Sequence, residues 1–286
     1  MNKSGGSTVK SVLKGWSEVN NVKSGIFASS LWERGPETAT RFIGRNNTVI
    51  VGGYVEGLRP YIGRVGDNKC KWFTSFRHPI SRLVSAFEYC RKSPGDQLCA
   101  HQTTDLHNMD LVSFARHWGN YGLRQFALSS IPWEEVTASQ AAAGCHGCEP
   151  WYKLKLYLIE VQSKAPNNRS STPVSDDEGL ERLLQPALDL IGSGYAAVGI
   201  LENFNSTLEL FTRALRLPGL DWASQYGKVG PKNVHQEGKH QREDALRLAW
   251  TDPSISESIR LDLLLYQHAK DVHARQLLQY DLVVPS

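Results

Sequence analysis

Trp72-Phe73-Thr74-Ser75-Phe76-Arg77-His78-Pro79-Ile80-Ser81-Arg82-Leu83-Val84-Ser85-Ala86-Phe87-Glu88 is the stretch on which the reading of the fold turns. Its first five residues are short, aromatic and alternating, the pattern of a buried strand, and Pro79 then supplies the pre-set φ of a first helical turn. Ile80, Leu83, Val84 and Phe87 follow at i, i+3, i+4 and i+7, which makes one apolar helix face. The opposite face is read as Ser81, Arg82 and Ser85. Arg77 falls at the strand-to-helix junction, where free backbone N–H groups and the helix dipole favour an anion such as phosphate or sulfate. The plain alternatives are that Arg77 is a helix-capping cation in a salt bridge and Ser85 a surface serine.

Outward from this stretch, strands and helices alternate. Thr48-Val49-Ile50-Val51 predicts a buried strand running into Gly52-Gly53-Tyr54-Val55-Glu56-Gly57, where the glycine pair permits close approach of another group. Residues 111–128 have helical character, with an exposed turn expected over 120–126. Residues 163–179, rich in Ser, Asn, Pro and Asp, predict a surface loop. A helix over 180–191, a small buried strand over 196–200, and an amphipathic helix over 204–217 stopped by Pro218-Gly219 come next. A basic loop is expected over 228–242, and a final helix over 256–279 turns Ile259, Leu263, Tyr266 and Leu277 toward the core. The order predicts an α/β fold, a central and mainly parallel sheet flanked by helices, in a single domain over 1–286.

At the start, Lys3-Ser4-Gly5-Gly6-Ser7-Thr8 leads into Val9, Val12, Leu13 and Trp16 at helical spacing. Glycines let backbone N–H groups converge on an anion, Lys3 adds a charge, and Ser7 and Thr8 add hydroxyls. The spacing GxxxxGK[ST] is absent, which disfavours an ordinary nucleoside triphosphatase, and a flexible tail is the plain alternative. No strand that would feed this loop can be read, so a first strand is expected to be missing ahead of Met1. A formal net charge of +3 is too mild for a nucleic-acid coat, so any basic function is local. No run of about 18 apolar residues occurs, so contact with a membrane would need an anchor outside this sequence. Among the five cysteines, Cys90 and Cys99 bracket a short turn-rich loop that a disulfide would close. Cys145-His146-Gly147-Cys148 leaves a disulfide, half of a zinc site and free thiols open. Asn46, Asn168 and Asn205 begin sequons, which weakly favour a secretory route.

With both anion-type junctions in view, the chain resembles sulfotransferases that use 3′-phosphoadenosine 5′-phosphosulfate (PAPS). It is most similar to the Golgi carbohydrate O-sulfotransferases related to heparan sulfate 2-O-sulfotransferase. In that family a Lys-x-Gly-Ser-Thr loop holds the 5′-phosphosulfate, and Lys3 to Thr8 is similar. An Arg-x-Pro-x-x-Arg-x-x-Ser motif holds the 3′-phosphate, and Arg77-His78-Pro79-Ile80-Ser81-Arg82-Leu83-Val84-Ser85 matches it. The resemblance implies Arg77 and Ser85 as 3′-phosphate ligands. It extends to Val198-Gly199-Ile200-Leu201-Glu202, to Leu264 through Lys270, and to a basic loop near Lys232 and Lys239 that closes over the nucleotide.

One departure bears on catalysis. The family carries Gly-His-Val where this chain reads Gly53-Tyr54-Val55-Glu56, so Tyr54 stands where the catalytic histidine would be. A phenol with an ordinary pKa of about 10 is a poor base at neutral pH, and Glu56 has the better ordinary value. Glu56 is therefore the preferred proton acceptor, with a packed Tyr54 and a solvated Glu56 as the plain alternatives.

The resemblance implies in-line transfer of a sulfuryl group from PAPS to a carbohydrate hydroxyl, in the Golgi lumen or secretory pathway, with a cytoplasmic location as the alternative. Lys3 would neutralise the bridging oxygen, and Ser4, Gly5, Gly6, Ser7 and Thr8 would cradle the 5′ end. No carboxylate cluster calls for a metal. The competing reading is a glycan- or nucleotide-binding relative of the same fold that has lost its base. A small-molecule kinase is disfavoured by the missing phosphate-loop lysine placement and Mg²⁺ carboxylate.

Overall fold

Val9, Val12, Leu13 and Trp16 line one side of α1 (Gly6–Val19) and are each at most 5 % exposed, as the helical spacing predicts. The computed structural model describes residues 6–27, 48–52, 55–59, 70–93, 95–96, 99–101, 104–105, 108–128, 130–145, 148–164, 177–229 and 239–284. Just beyond α1, Asn21 adopts φ 51°, a left-handed conformation that Asn tolerates better than most side chains. The indole N–H of Trp16 donates to the Pro218 carbonyl, 2.8 Å away, tying α1 to a segment 202 residues further along the chain.

β1 (Lys23–Phe27) pairs in parallel with β2 (Thr48–Gly52), and a 3₁₀ turn follows over Val55–Leu58. β3 (Phe73–Phe76) runs into α2 (Pro79–Lys92). After it come β4 (Ala100–His101) and β5 (Thr104–Asp105), a short antiparallel pair. The helices α3 (Leu111–Trp118), α4 (Tyr121–Ala127), α5 (Trp133–Ala138), α6 (Gln140–Ala143), α7 (Pro150–Ser163) and α8 (Asp177–Ser193) then lead to β6 (Ala197–Ile200). The remainder is α9 (Phe204–Leu215), α10 (Trp222–Val229), α11 (Lys239–Thr251), α12 (Pro253–Ser258) and α13 (Arg260–Gln279).

The fold is α/β in the broad sense and mostly helical. Among the described residues the parallel strands form two separate pairs, β1 with β2 and β3 with β6, and not the one central sheet expected. β1 also escaped the sequence reading, because Lys23-Ser24-Gly25-Ile26-Phe27 has neither alternation nor a β-branched run. Three apolar clusters surround the strands. One packs Phe76, Val198 and Ile200 against Leu261, Leu265 and Val272 of α13. A second buries Ile80, Leu83, Val84 and Phe87 of α2 against Phe114, Trp118 and Trp151. The third joins the apolar face of α1 to Ala197, Phe211, Trp222 and Leu277.

β6 pairs with β3 on one side, and side chains block its other side. The Val198 N–H donates to Gln276 Oε1 at 2.8 Å, and His273 Nδ1 bonds the Val198 carbonyl at 2.8 Å. Thr207 Oγ1 accepts from the Ile200 N–H at 2.8 Å and donates to its carbonyl at 2.9 Å. A strand edge satisfied in this way cannot recruit another strand. Gly199 is required here, since a Cβ would lie 2.4 Å from Thr207 Cγ2 and 3.0 Å from the Phe211 ring.

His273 gives this seam a pH dependence. Its Nδ1 donates to Val198, while its Nε2 is buried with no hydrogen-bond partner among the described residues. Burial holds the imidazole below its ordinary value, and the bond to Val198 offsets only part of that. The folded state thus binds its proton less readily than the unfolded chain. Stability is therefore full above the ordinary value of 6.5 and falls as pH drops below it. Melting temperature followed from pH 7.5 to 5.5 is expected to fall less steeply in His273→Gln; an unchanged slope would rule this out.

Three expectations need correction. Arg82 does not belong to the polar face of α2: it is 3 % exposed and its guanidinium pairs with Asp262, an acceptor 180 residues away that periodicity along α2 cannot reveal. Residues 120–126 do not form an exposed turn, since Asn120, Arg124 and Gln125 are each at most 2 % exposed and 121–127 is α4. Asn120 does break the helix, at φ 54°, but its side-chain oxygen accepts from the Leu261 and Asp262 N–H groups at 3.1 and 3.3 Å and so caps α13. Gly119 permits this joint, because a Cβ there would stand 2.1 Å from the Ser258 carbonyl oxygen. Finally, the expected basic loop is shorter at both ends, with α10 reaching Val229 and α11 beginning at Lys239; 230–238 lie outside the described residues, as do 165–176 of the other expected loop.

Cys90 and Cys99 form the expected disulfide, with Cα atoms 5.2 Å apart, and Cys145 and Cys148 form a second at 5.6 Å. All four are buried in the cluster behind α2. Cys70 is an exposed free thiol. No described helix is long and apolar enough to cross a membrane.

Candidate functional site

β3 and β6 run parallel with Phe76 opposite Ile200, so whatever follows each strand emerges at the same end. Arg77 and His78 leave β3 there, and Leu201 and Glu202 leave β6. This shared exit is where parallel strands place their ligands. The two exits are tied together: Glu202 accepts from the His78 backbone N–H at 2.9 Å and from the Tyr266 hydroxyl at 3.0 Å. Tyr266 comes from α13, so three elements meet on one carboxylate. Burial, and after it that carboxylate, push the Tyr266 phenol far above its ordinary range, which keeps it a donor.

His78 caps α2, its Nδ1 accepting the Ile80 N–H at 3.3 Å. Pro79 lacks an N–H and the Arg82 N–H is given to the His78 carbonyl, which leaves the Ser81 amide without a partner among the described residues. The half-buried residues Arg77, Ser81 and Ser85, four apart, line up along one side of the strand exit and α2. Burial lowers the Arg77 guanidinium from its ordinary value, and the nearby Arg242 and Arg82 charges add to this, with Glu202 only partly opposing. Arginine stays protonated regardless. The direction reflects burial first and the neighbouring positive charges second, and an anion at this exit would be attracted by both guanidinium groups. Burial also holds His78 below its ordinary value, with Lys270 and Arg82 against Glu202, so it is neutral at pH 7. These features fit a phosphate or sulfate: guanidinium, helix dipole, an amide and two hydroxyls.

Lys3, Ser4, Gly5 and Tyr54 lie outside the described residues. Gly6, Ser7 and Thr8 form the first turn of α1, not a loop, and Thr8 is buried at 6 % exposure. Lys239 opens α11.

Glu56 is not poised as expected of a proton acceptor. It is 7 % exposed, and Arg59 donates to its carboxylate through Nε at 2.8 Å and Nη2 at 3.3 Å. The Tyr195 hydroxyl also donates to Oε1. Arg59 in turn lies 4.0 Å over the Trp72 ring and donates to the Gly194 carbonyl at 3.2 Å. Trp72 and Gly194 precede β3 and β6, so this group is anchored toward the strand entries while Arg77 and Glu202 stand at the exits. Glu202, Tyr266 and Arg242 were not assigned to the site from sequence. The signal for Glu202 was present: it sits two residues beyond β6, as His78 sits two beyond β3.

The chain matches no family model, no curated protein and no solved structure.

Proposed function

We propose that this chain is a PAPS-dependent O-sulfotransferase that moves a sulfuryl group to a hydroxyl of a carbohydrate acceptor, on a P-loop-like sulfotransferase fold. The observation that carries the reading is Arg77 at a parallel-strand exit, opening α2 in the spacing Arg-x-Pro-x-x-Arg-x-x-Ser, in a positive field shared with Arg242. In this reading Arg77, Ser81 and Ser85 hold the 3′-phosphate of the nucleotide. Lys3 and the residues up to Ser7 hold the 5′ end, as the sequence resemblance implies, while Thr8 is buried in the first turn of α1. Glu202 acts through others, holding the His78 amide so that the exit from β3 keeps its geometry. Two disulfides fit an oxidising compartment such as the Golgi lumen.

Adenosine 3′,5′-bisphosphate is expected to bind more tightly than 5′-AMP, and Arg77→Ala to weaken it by about 2–4 kcal/mol, the scale of removing one partner from a buried charged contact. Calorimetry settles both. Equal affinity of parent and variant, or no preference for the 3′-phosphate, would reject the assignment. A second reading, a nucleotide- or glycan-binding relative without turnover, draws support from the occupied Glu56 carboxylate and from tyrosine in place of histidine at position 54. Transfer of labelled sulfate from PAPS to a panel of glycans separates the two.

A further inference from the structure

Trp250, in the last turn of α11, leaves 56 % of its surface exposed beside a site otherwise built from charges. One side of the indole is covered by His78, with ring centroids 4.6 Å apart and planes inclined by 34°. His78 is itself fixed from two directions. Its Nδ1 caps α2, and its ring meets Tyr266 edge-on at 5.2 Å. The indole thus rests on an ordered support with the rest of its surface turned to water. A large aromatic side chain usually finds more cover than this.

The surroundings say what would cover it. Arg77 immediately precedes His78, and Arg242 stands eight residues before Trp250 on the same helix, a rise of roughly 12 Å. A flat apolar platform resting on His78, the neighbour of Arg77, and carried on the helix that bears Arg242 suits a ligand with an aromatic ring at one end and a phosphate at the other. A neutral sugar would use the platform but not the charges, and inorganic phosphate the charges but not the platform. We propose that Trp250, supported by His78, stacks on the nucleobase of the 3′-phosphorylated nucleotide whose phosphate Arg77 holds; this rests on the phosphate-site reading above. Stacking uses the π-face that every base has, so the contact supplies affinity and orientation, not choice of base.

Calorimetry with two ligands tests it: adenosine 3′,5′-bisphosphate and 1-O-methylribose 3,5-bisphosphate, which keeps the phosphates and lacks the base. Base stacking of about 1–3 kcal/mol corresponds to roughly 5- to 150-fold in affinity. Trp250→Ala is expected to lose that factor for the first ligand and nothing for the second. Trp250→Phe should stay within about threefold of the parent, because a phenyl ring still stacks. Arg77→Ala should weaken both ligands. If Trp250→Ala binds the nucleotide like the parent while Arg77→Ala weakens both ligands, the stacking is wrong and the phosphate site stands. If Trp250→Ala weakens both ligands alike, Trp250 acts through the fold and the stacking is likewise overturned. A parent that binds neither ligand overturns the phosphate site and the stacking with it.

Discussion

Asp262→Ala is expected to lower the stability of the fold by about 3–5 kcal/mol, the range for breaking a buried ion pair from one side. The Asp262 carboxylate is 2 % exposed and accepts from the Arg82 guanidinium, itself 3 % exposed. It also accepts from the Gly122 and Leu123 N–H groups at 3.0 and 2.8 Å, the opening amides of α4. Alanine would therefore strand a buried cation and two helix N–H groups at once. Little can relax to fill the gap, because the guanidinium is wedged against Gly122, where a Cβ would stand 2.5 Å from Arg82 Nη1. The faces of Trp118 and Tyr121, at 5.8 and 5.7 Å from the guanidinium carbon, offer a cation–π contact of at most a few kcal/mol. Set against a typical total of about 5–15 kcal/mol, the loss is large. Urea unfolding at pH 7 measures it. Replacing both partners, Arg82→Met with Asp262→Leu, should recover more than half of it, since no charge is then left buried. A single-variant loss below about 1 kcal/mol would show that water reaches the pair.

The same pair marks where sequence reading stops. The apolar faces of α1 and α2 are legible because each is a local periodicity that burial then obeys, and strands β3 and β6 because each is a short run of strand-forming residues. Sequence places Arg82 on the polar face of α2, because a charge on a helix is usually solvated and its partner lies 180 residues away in the chain. The exposed turn expected over 120–126 is a break at Asn120 alone, with 121–127 helical and buried, and two glycines flank that break. These glycines serve close approach, Gly119 to the Ser258 carbonyl and Gly122 to Arg82, and not a solvent-facing turn. The site was legible in part for a comparable reason. Arg77 and Ser85 announce themselves by spacing around Pro79, whereas Glu202, Tyr266, Arg242 and Trp250 are brought to them by strand register and helix packing.

Glu56 is where local and tertiary readings disagree most, and its substitution separates them. As a proton acceptor it would lose about 10²–10⁴ in rate on conversion to glutamine, with the fold intact. The structure points instead to a stability effect. Its carboxylate is held by two arginine donors and the Tyr195 hydroxyl, and burial together with the neighbouring Glu56 charge pushes the Tyr195 phenol well above its ordinary range, so that phenol remains a donor. Glu56→Gln keeps the shape but replaces one acceptor oxygen by an N–H₂ group that faces a donor, and it removes the charge opposite Arg59. Hydrogen bonds to charged groups contribute about 1.5–3 kcal/mol, and that is the loss expected in urea unfolding. Binding of adenosine 3′,5′-bisphosphate should be nearly unchanged, because Arg77 lies at the strand exits and Arg59 at the strand entries. If the parent transfers sulfate, Glu56→Gln measured well below its unfolding transition should keep turnover within about tenfold. A fall of 10² or more with unfolding unchanged would restore Glu56 to the reaction, on the scale of a lost general base.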